Sequence, residues 1–188
     1  VGSGIVIDSD PEAEYRECGW KARFLNDLRP DFGIFETMRV EDRQCRLLDL
    51  HLGRLNTSAQ ALNLTWPQNA AEQIQHYIDA LPSGLFRVKA ALFSDGLVLS
   101  HAAVSELDGQ QYVILSEHTL SQRDYLRRFK TTRREIFDQA WQTAEGQGAF
   151  DSLLFNSDGL LLEGGRSNVF VKYQGQWLTP SLDLDILN

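Results

Sequence analysis

The chain has 188 residues, 43% of them hydrophobic and 23% charged, enough for one sizeable core or two small ones and far from disordered, collagen-like or coiled-coil composition. Its 18 Lys and Arg against 26 Asp and Glu give a net charge of -8, so long-range steering repels nucleic acid and anionic membrane, and neither is an expected partner. No apolar run approaches the roughly 20 residues of a transmembrane helix. Val1-Gly2-Ser3-Gly4 opens with no Met, no basic start and no signal-peptide core, so the expectation is a cytoplasmic chain that is a piece of something longer.

Residues 1–27 differ in character from the rest of the chain. A short apolar strand at residues 4–7 leads to Asp8-Ser9-Asp10-Pro11, a helix start, and then to an acidic stretch; Arg29-Pro30 reads as a linker. A hairpin comes next: a strand over residues 32–40, a turn over 41–44 and a return over 45–48. Leu48, Leu52, Leu55, Ala59 and Leu62 then recur at steps of three and four, which predicts an amphipathic helix ended by Pro67. Ala71, Ile74, Ile78 and Leu81 predict a second helix over residues 69–81. Strands over 86–93 and 97–104 flank Ser94-Asp95-Gly96, a strong hairpin signal. After them come a strand over 112–116, a basic loop over 118–131 and a helix over 132–146. Short strands over 152–155, 160–162, 168–173 and 176–179 end the series. Strands and helices come in runs, which predicts an α+β fold with largely antiparallel sheets. The two cysteines, Cys18 and Cys45, form no CxxC, so neither a disulfide framework nor a zinc site is expected.

Three segments together carry a resemblance. They are Phe32-Gly33-Ile34-Phe35-Glu36-Thr37-Met38-Arg39 with His51-Leu52-Gly53-Arg54-Leu55 behind it; Lys130-Thr131-Thr132; and Glu163-Gly164-Gly165-Arg166-Ser167-Asn168-Val169-Phe170 with Thr179-Pro180 behind it. With 76 residues from Arg54 to Lys130 and 33 from Lys130 to Glu163, their order and spacing resemble the fold-type IV pyridoxal-phosphate (PLP) enzymes, the class-IV aminotransferase and aminodeoxychorismate-lyase family. The resemblance implies a two-domain enzyme, with a small α+β domain over residues 28–111 and a larger PLP-binding domain over 112–188. The larger domain is expected to be incomplete, because Leu184-Asp185-Ile186-Leu187-Asn188 matches the segment just before the family's glycine-containing phosphate loop. Residues 1–27 resemble instead the C-terminus of the chorismate-binding synthases, through Gly2-Ser3-Gly4-Ile5-Val6, the run from Asp8 to Glu17, and Lys21-Ala22. A synthase tail before a lyase-like domain resembles a fused aminodeoxychorismate synthase component I and lyase.

By that resemblance Lys130 is the lysine that holds PLP and shuttles a proton, a task that needs a neutral amine. Arg127, Arg128, Arg133 and Arg134 supply cations that would depress its pKa. Among the four lysines, Lys89 is the serious rival. Glu163 corresponds to the glutamate that keeps the pyridine nitrogen protonated, and Ser167 and Asn168 support its turn. Arg54 corresponds to the arginine that grips the cofactor phosphate, for which a planar guanidinium suits. Arg39 and Lys89 are candidates for substrate carboxylates; His51 reads as structural. Glu14 and Glu17, with Lys21, match positions around magnesium and chorismate in the synthases, but with the rest of that site missing the tail is read as inactive. The implied reaction converts 4-amino-4-deoxychorismate to 4-aminobenzoate and pyruvate in folate biosynthesis. The alternatives are an aminotransferase for branched-chain or D-amino acids and a non-catalytic fragment of a larger enzyme. The family implies a homodimer, and a fused synthase implies a glutamine amidotransferase partner.

Overall fold

The computed structural model describes residues 10–12 and 30–187. Apart from residues 10–12, the tail read over residues 1–27, with Glu14, Glu17 and Lys21, lies outside the described residues.

The chain first builds a three-stranded antiparallel sheet, β1 (Ile34–Glu41), β2 (Leu85–Phe93) and β3 (Gly96–Ala103), in the order β1-β2-β3. Between β1 and β2 run two helices, α1 (Leu48–Ala61) and α2 (Ala70–Asp79). Strand period decides which side chains enter the core. Ile34, Met38 and Val40 of β1 point inward, level with Leu92, Val88 and Phe86 of β2. They pack against Leu55 and Ala59 of α1 and Ile74 and Ile78 of α2 in one hydrophobic cluster. The glutamate at the remaining inward position, Glu36, is buried among them.

A second sheet has the order β4-β5-β6, from β4 (Val113–Leu120), β5 (Asp151–Asn156) and β6 (Leu161–Gly164). β4 and β5 are parallel, joined by a crossover that carries α3 (Glu135–Gly146), and α3 packs on both strands. β5 and β6 are antiparallel. Leu120, Ala140, Leu154, Leu162 and Ile186 form a second, separate cluster. A solvent-facing hairpin, β7 (Val171–Tyr173) and β8 (Gln176–Leu178), turns through Gln174 and Gly175, both at positive φ as a two-residue turn requires.

The α+β expectation with largely antiparallel sheets holds, with β4–β5 the parallel exception. The return strand expected over residues 45–48 does not form. Asp42 and Arg43 make a tight positive-φ turn with a single bridge, Glu41 to Gln44. Asp42 is then tied to Gly84, accepting its N–H at 2.9 Å, and the chain passes directly into α1. β4 runs on to Leu120, through residues expected to be loop. α3 starts at Glu135, three residues late, because Thr131 and Thr132 lie along the edge of β1: Thr131 bridges Ile34, and the Thr132 N–H donates to the Gly33 carbonyl. No helix among the described residues is long and apolar enough to cross a membrane.

Ile78 is fully buried at the centre of the first cluster. Replacing it with Ala is expected to cost about 2–4 kcal/mol in equilibrium denaturation, against less than about 0.5 kcal/mol for the exposed Gln75→Ala on the same helix.

Candidate active site

Lys130 comes just after a 3-10 turn (Tyr125–Arg128), and its backbone is fixed to the first sheet. Its carbonyl accepts the Phe35 N–H at 2.8 Å, and the Thr132 hydroxyl accepts the Gly33 N–H at 3.0 Å. The ammonium sits 5.1 Å from the centre of the Phe35 ring. Lys89 and Arg134 approach the same ring at 4.3 Å and 5.7 Å. Burial, and then the neighbouring charge of Arg134, push the Lys130 amine down from its ordinary 10.5 to about 8.

Of the four arginines near Lys130 in sequence, Arg134 is the leading cation on it. The others are turned elsewhere. Arg127 donates to the carbonyls of Ser121 and Leu184, Arg128 pairs with Asp185 at 2.6 Å, and Arg133 pairs with Asp31 at 2.6 Å. Arg134 is held in place by its bond to the Gly165 carbonyl at 2.6 Å.

Glu163 lines the same cavity as Lys130, a space of about 280 Å³ that also receives Arg134, Phe137 and Leu187. Burial raises the Glu163 pKa, partly offset by the Leu187 N–H and by the charges of Arg134 and Lys130. Its Oε1 is, among the described residues, the buried side-chain oxygen with no hydrogen-bond partner. A buried acceptor left in that condition costs about 1–3 kcal/mol, and a ligand bringing an N–H would remove the cost.

The turn after Glu163 is built around a fully buried carboxylate. Asp151 accepts the Ser152 N–H at 2.8 Å, the Arg166 N–H at 3.1 Å and the Ser167 hydroxyl at 2.5 Å. The turn lies so close to α3 that a Cβ on Gly165 would stand 2.8 Å from the Phe137 carbonyl and 2.9 Å from the Trp141 nitrogen. Ser167 therefore ties the turn to β5, and its carbonyl accepts the Gly164 N–H at 2.8 Å.

Arg54, on α1, is engaged by Glu36. Its Nε and Nη2 donate to the two carboxylate oxygens at 2.5 Å and 2.6 Å, and the His51 Nδ1 donates at 2.8 Å. Burial pushes the Glu36 pKa up, but the bonds from His51 and Arg54 and the Arg54 charge outweigh it and hold the carboxyl below its usual range. Arg54 and His51 line a larger cavity, about 900 Å³, with the exposed Asn168; Phe129 borders both cavities. Arg39 stands apart from both, exposed and paired with Glu41 and Glu106 at 3.1 Å and 3.0 Å. Lys89 is an exposed residue of β2 that reaches the site by way of Phe35.

Two residues that the sequence reading passed over organise this site. Glu36 had a signal, since period-2 alternation sets it inward between Ile34 and Met38, where a carboxylate needs partners. Asp151 had none locally, because its partners lie 15 and 16 residues ahead in the turn.

A family model described as amino-transferase class IV matches residues 33–188, a span that holds both cavities. The chain belongs to the class IV aminotransferase family. A Schizosaccharomyces pombe protein named "Putative aminodeoxychorismate lyase" is 27% identical over 82% of this chain and 69% of its own length. A Thermotoga maritima protein named "Probable branched-chain-amino-acid aminotransferase" is 27% identical over 90% of this chain and 68% of its own. Among solved structures, a "Putative amino-acid aminotransferase" from Mesorhizobium loti superposes with a TM-score of 0.76 at 31% identity, covering 84% of this chain and 78% of that one.

A lysine whose folded pKa lies below its unfolded value destabilises the fold as pH falls from 10.5 through 8, because the native state resists taking the proton. Lys130→Met is therefore expected to be more stable than the parent by about 1–3 kcal/mol at pH 7, with the gap closing above pH 10, in denaturant titrations run across that range. Gly165→Ala is expected to lose about 1–3 kcal/mol in the same measurement.

Proposed function

We infer that this class IV enzyme uses pyridoxal phosphate and acts as a 4-amino-4-deoxychorismate lyase, releasing pyruvate and forming 4-aminobenzoate. The observation that carries the cofactor assignment is the pairing, in one small cavity, of a lysine with a depressed pKa and a glutamate with a buried, unsatisfied oxygen. These residues fit the cofactor. Lys130 would hold it covalently, Glu163 would accept a hydrogen bond from its protonated ring nitrogen, and Arg54 would face its phosphate, with Ser167 and Asn168 supporting the turn and the cavity wall. When bound, pyridoxal phosphate supplies an aldehyde that captures a primary amine and a ring that accepts the electrons left behind when a proton departs from the neighbouring carbon.

The rest is done by the chain. At pH 7.5 a lysine of pKa about 8 is neutral in about a quarter of molecules, against roughly one in a thousand at 10.5, so Lys130 can serve as a base. It takes the proton from the substrate carbon that bears nitrogen. The bond from the ring to the enolpyruvyl oxygen then breaks, the proton passes to the leaving group to give pyruvate, and the six-membered ring becomes aromatic, which makes the step irreversible. Burial raises the Glu163 pKa, and a donor facing its unpartnered oxygen would favour the ionised form; a protonated ring nitrogen would be such a donor.

The lyase reading over amino transfer is supported by the S. pombe relative's name and by the synthase-like sequence of residues 1–27, which suits a fused synthase and lyase. The M. loti and T. maritima relatives support an aminotransferase as the second reading. The assay that separates them supplies aminodeoxychorismate in one arm, and a branched-chain amino acid with 2-oxoglutarate in the other. Formation of 4-aminobenzoate with matching pyruvate supports the lyase; glutamate formation without 4-aminobenzoate overturns it. Lys130→Ala is expected to abolish turnover, and Glu163→Gln to lower kcat about 10²–10³-fold with little change in PLP affinity. Borohydride trapping of PLP on Lys130 should rise with pH through about 8; a midpoint near 10 would contradict a desolvated, depressed amine.

A further inference from the structure

The most deeply buried ionised group of the first sheet lies outside the chemistry above. Glu36 is 1% exposed, on the inward face of β1, and both of its oxygens are occupied. Oε1 takes the Arg54 Nε; Oε2 takes the Arg54 Nη2 and the His51 Nδ1. His51 and Arg54 sit at i and i+3 on α1, so both reach the strand from one helix face. A carboxylate in a core of Ile34, Met38, Val40 and Leu55 is costly unless it is fully bonded. A purely apolar residue would pack there without that cost, so core packing alone gives no reason for a glutamate at this position.

We propose that Glu36, buttressed by His51, is a positioning residue: it clamps the Nε–Nη2 edge of Arg54 and so fixes the guanidinium plane for a phosphate-bearing ligand. The clamp works because the guanidinium fork is planar. Two bonds to one edge leave the group no rotation about its own axis, so the direction of its remaining donors is set before any ligand arrives. An unrestrained arginine side chain would lose rotamer freedom on gripping a phosphate, and Glu36 makes that loss during folding instead. The cost is electrostatic, since the carboxylate cancels part of the Arg54 charge. His51 shares the carboxylate and draws some of that charge away from Arg54. The inference rests on the proposed PLP chemistry only in taking the phosphate to be the cofactor's.

The test compares pyridoxal phosphate with pyridoxal, which carries the same ring and aldehyde without the phosphate, by absorbance titration of the full chain. In Glu36→Gln, affinity for pyridoxal phosphate is expected to fall about tenfold or more while affinity for pyridoxal stays within about twofold. Arg54→Lys should give the same selective loss, and the double variant should lose no more than the worse single one. Equal losses for both ligands would make Glu36 a packing residue and overturn the proposal. So would an unchanged ratio, or a gain in phosphate selectivity, which would mark Glu36 as a competitor for Arg54. If Glu36→Gln fails to fold, Glu36→Asp, which keeps the charge but shortens its reach, is read by the same ratio. A parent chain that binds neither ligand refutes the PLP reading, and this inference with it. A parent that binds pyridoxal phosphate, with a ratio insensitive to Glu36, refutes the positioning role alone.

Discussion

The site depends on two backbone hydrogen bonds that lay the segment around Lys130 against the edge of β1, Phe35 N–H to the Lys130 carbonyl and Thr132 N–H to the Gly33 carbonyl, both 2.8 Å. Each contributes only about 1 kcal/mol, so their importance is geometric. A lysine amine hangs on four flexible methylenes, and its position is only as good as that of its backbone. Once the segment is anchored, the pleat of one strand does the rest. Phe35 points outward, under the Lys130 amine. Glu36, the next residue, points inward to α1 and holds Arg54. A single strand therefore presents one face to Lys130 and the other to Arg54, and a one-residue slip in its register with β2 would exchange them.

Three carboxylates withdrawn from solvent show how differently the fold treats acids. Glu36 has an arginine fork and a histidine. Asp151 has no ion pair among the described residues, but three donors close around it and shape the turn after Glu163. Glu163 has the Leu187 N–H and one oxygen with nothing to accept. The first two are as fully satisfied as buried acids need to be; the third is the exception, and it is the one beside the lysine. Folding could have avoided that deficit with an apolar residue. The deficit persists at the position where a ligand can remove it, which is how strain is distributed between scaffold and site in general.

Much of this was legible in the residues. Hydrophobic steps of three and four placed α1 and α2, and Ser94-Asp95-Gly96 marked the hairpin of β2 and β3, because these signals are local. The spacing of Lys130 and Glu163 marked the two groups that share a cavity. Long-range pairings were hidden. The late start of α3 comes from Thr131 and Thr132 pairing with residues 97 and 99 positions earlier, which no window around them contains. The missing strand at residues 45–48 reflects a turn fastened to Gly84, again distant in sequence. The arginine-rich segment misled in detail: composition suggested four cations around Lys130, whereas Arg127, Arg128 and Arg133 are spent on carbonyls and acids elsewhere, and Arg134 remains.

The cations that converge on Phe35 add a constraint of their own. Lys89, Lys130 and Arg134 all stand within 6 Å of one ring centre, in a chain whose net charge is -8. The ring's negative face attracts each of them by about 0.5–2 kcal/mol, but they repel one another in partly desolvated surroundings, and part of that repulsion shows in the depressed Lys130 pKa. An anion entering the cluster reverses the balance. It neutralises the repulsion, and a ligand that binds the native state alone stabilises it by mass action. The same positive focus within an acidic chain gives an anionic substrate a local attraction that the molecule as a whole denies it, and salt should weaken it. The basic cluster thus does two things with one arrangement: it adds to burial in lowering the Lys130 pKa, and it makes this region of an acidic chain one where negative charge is welcome.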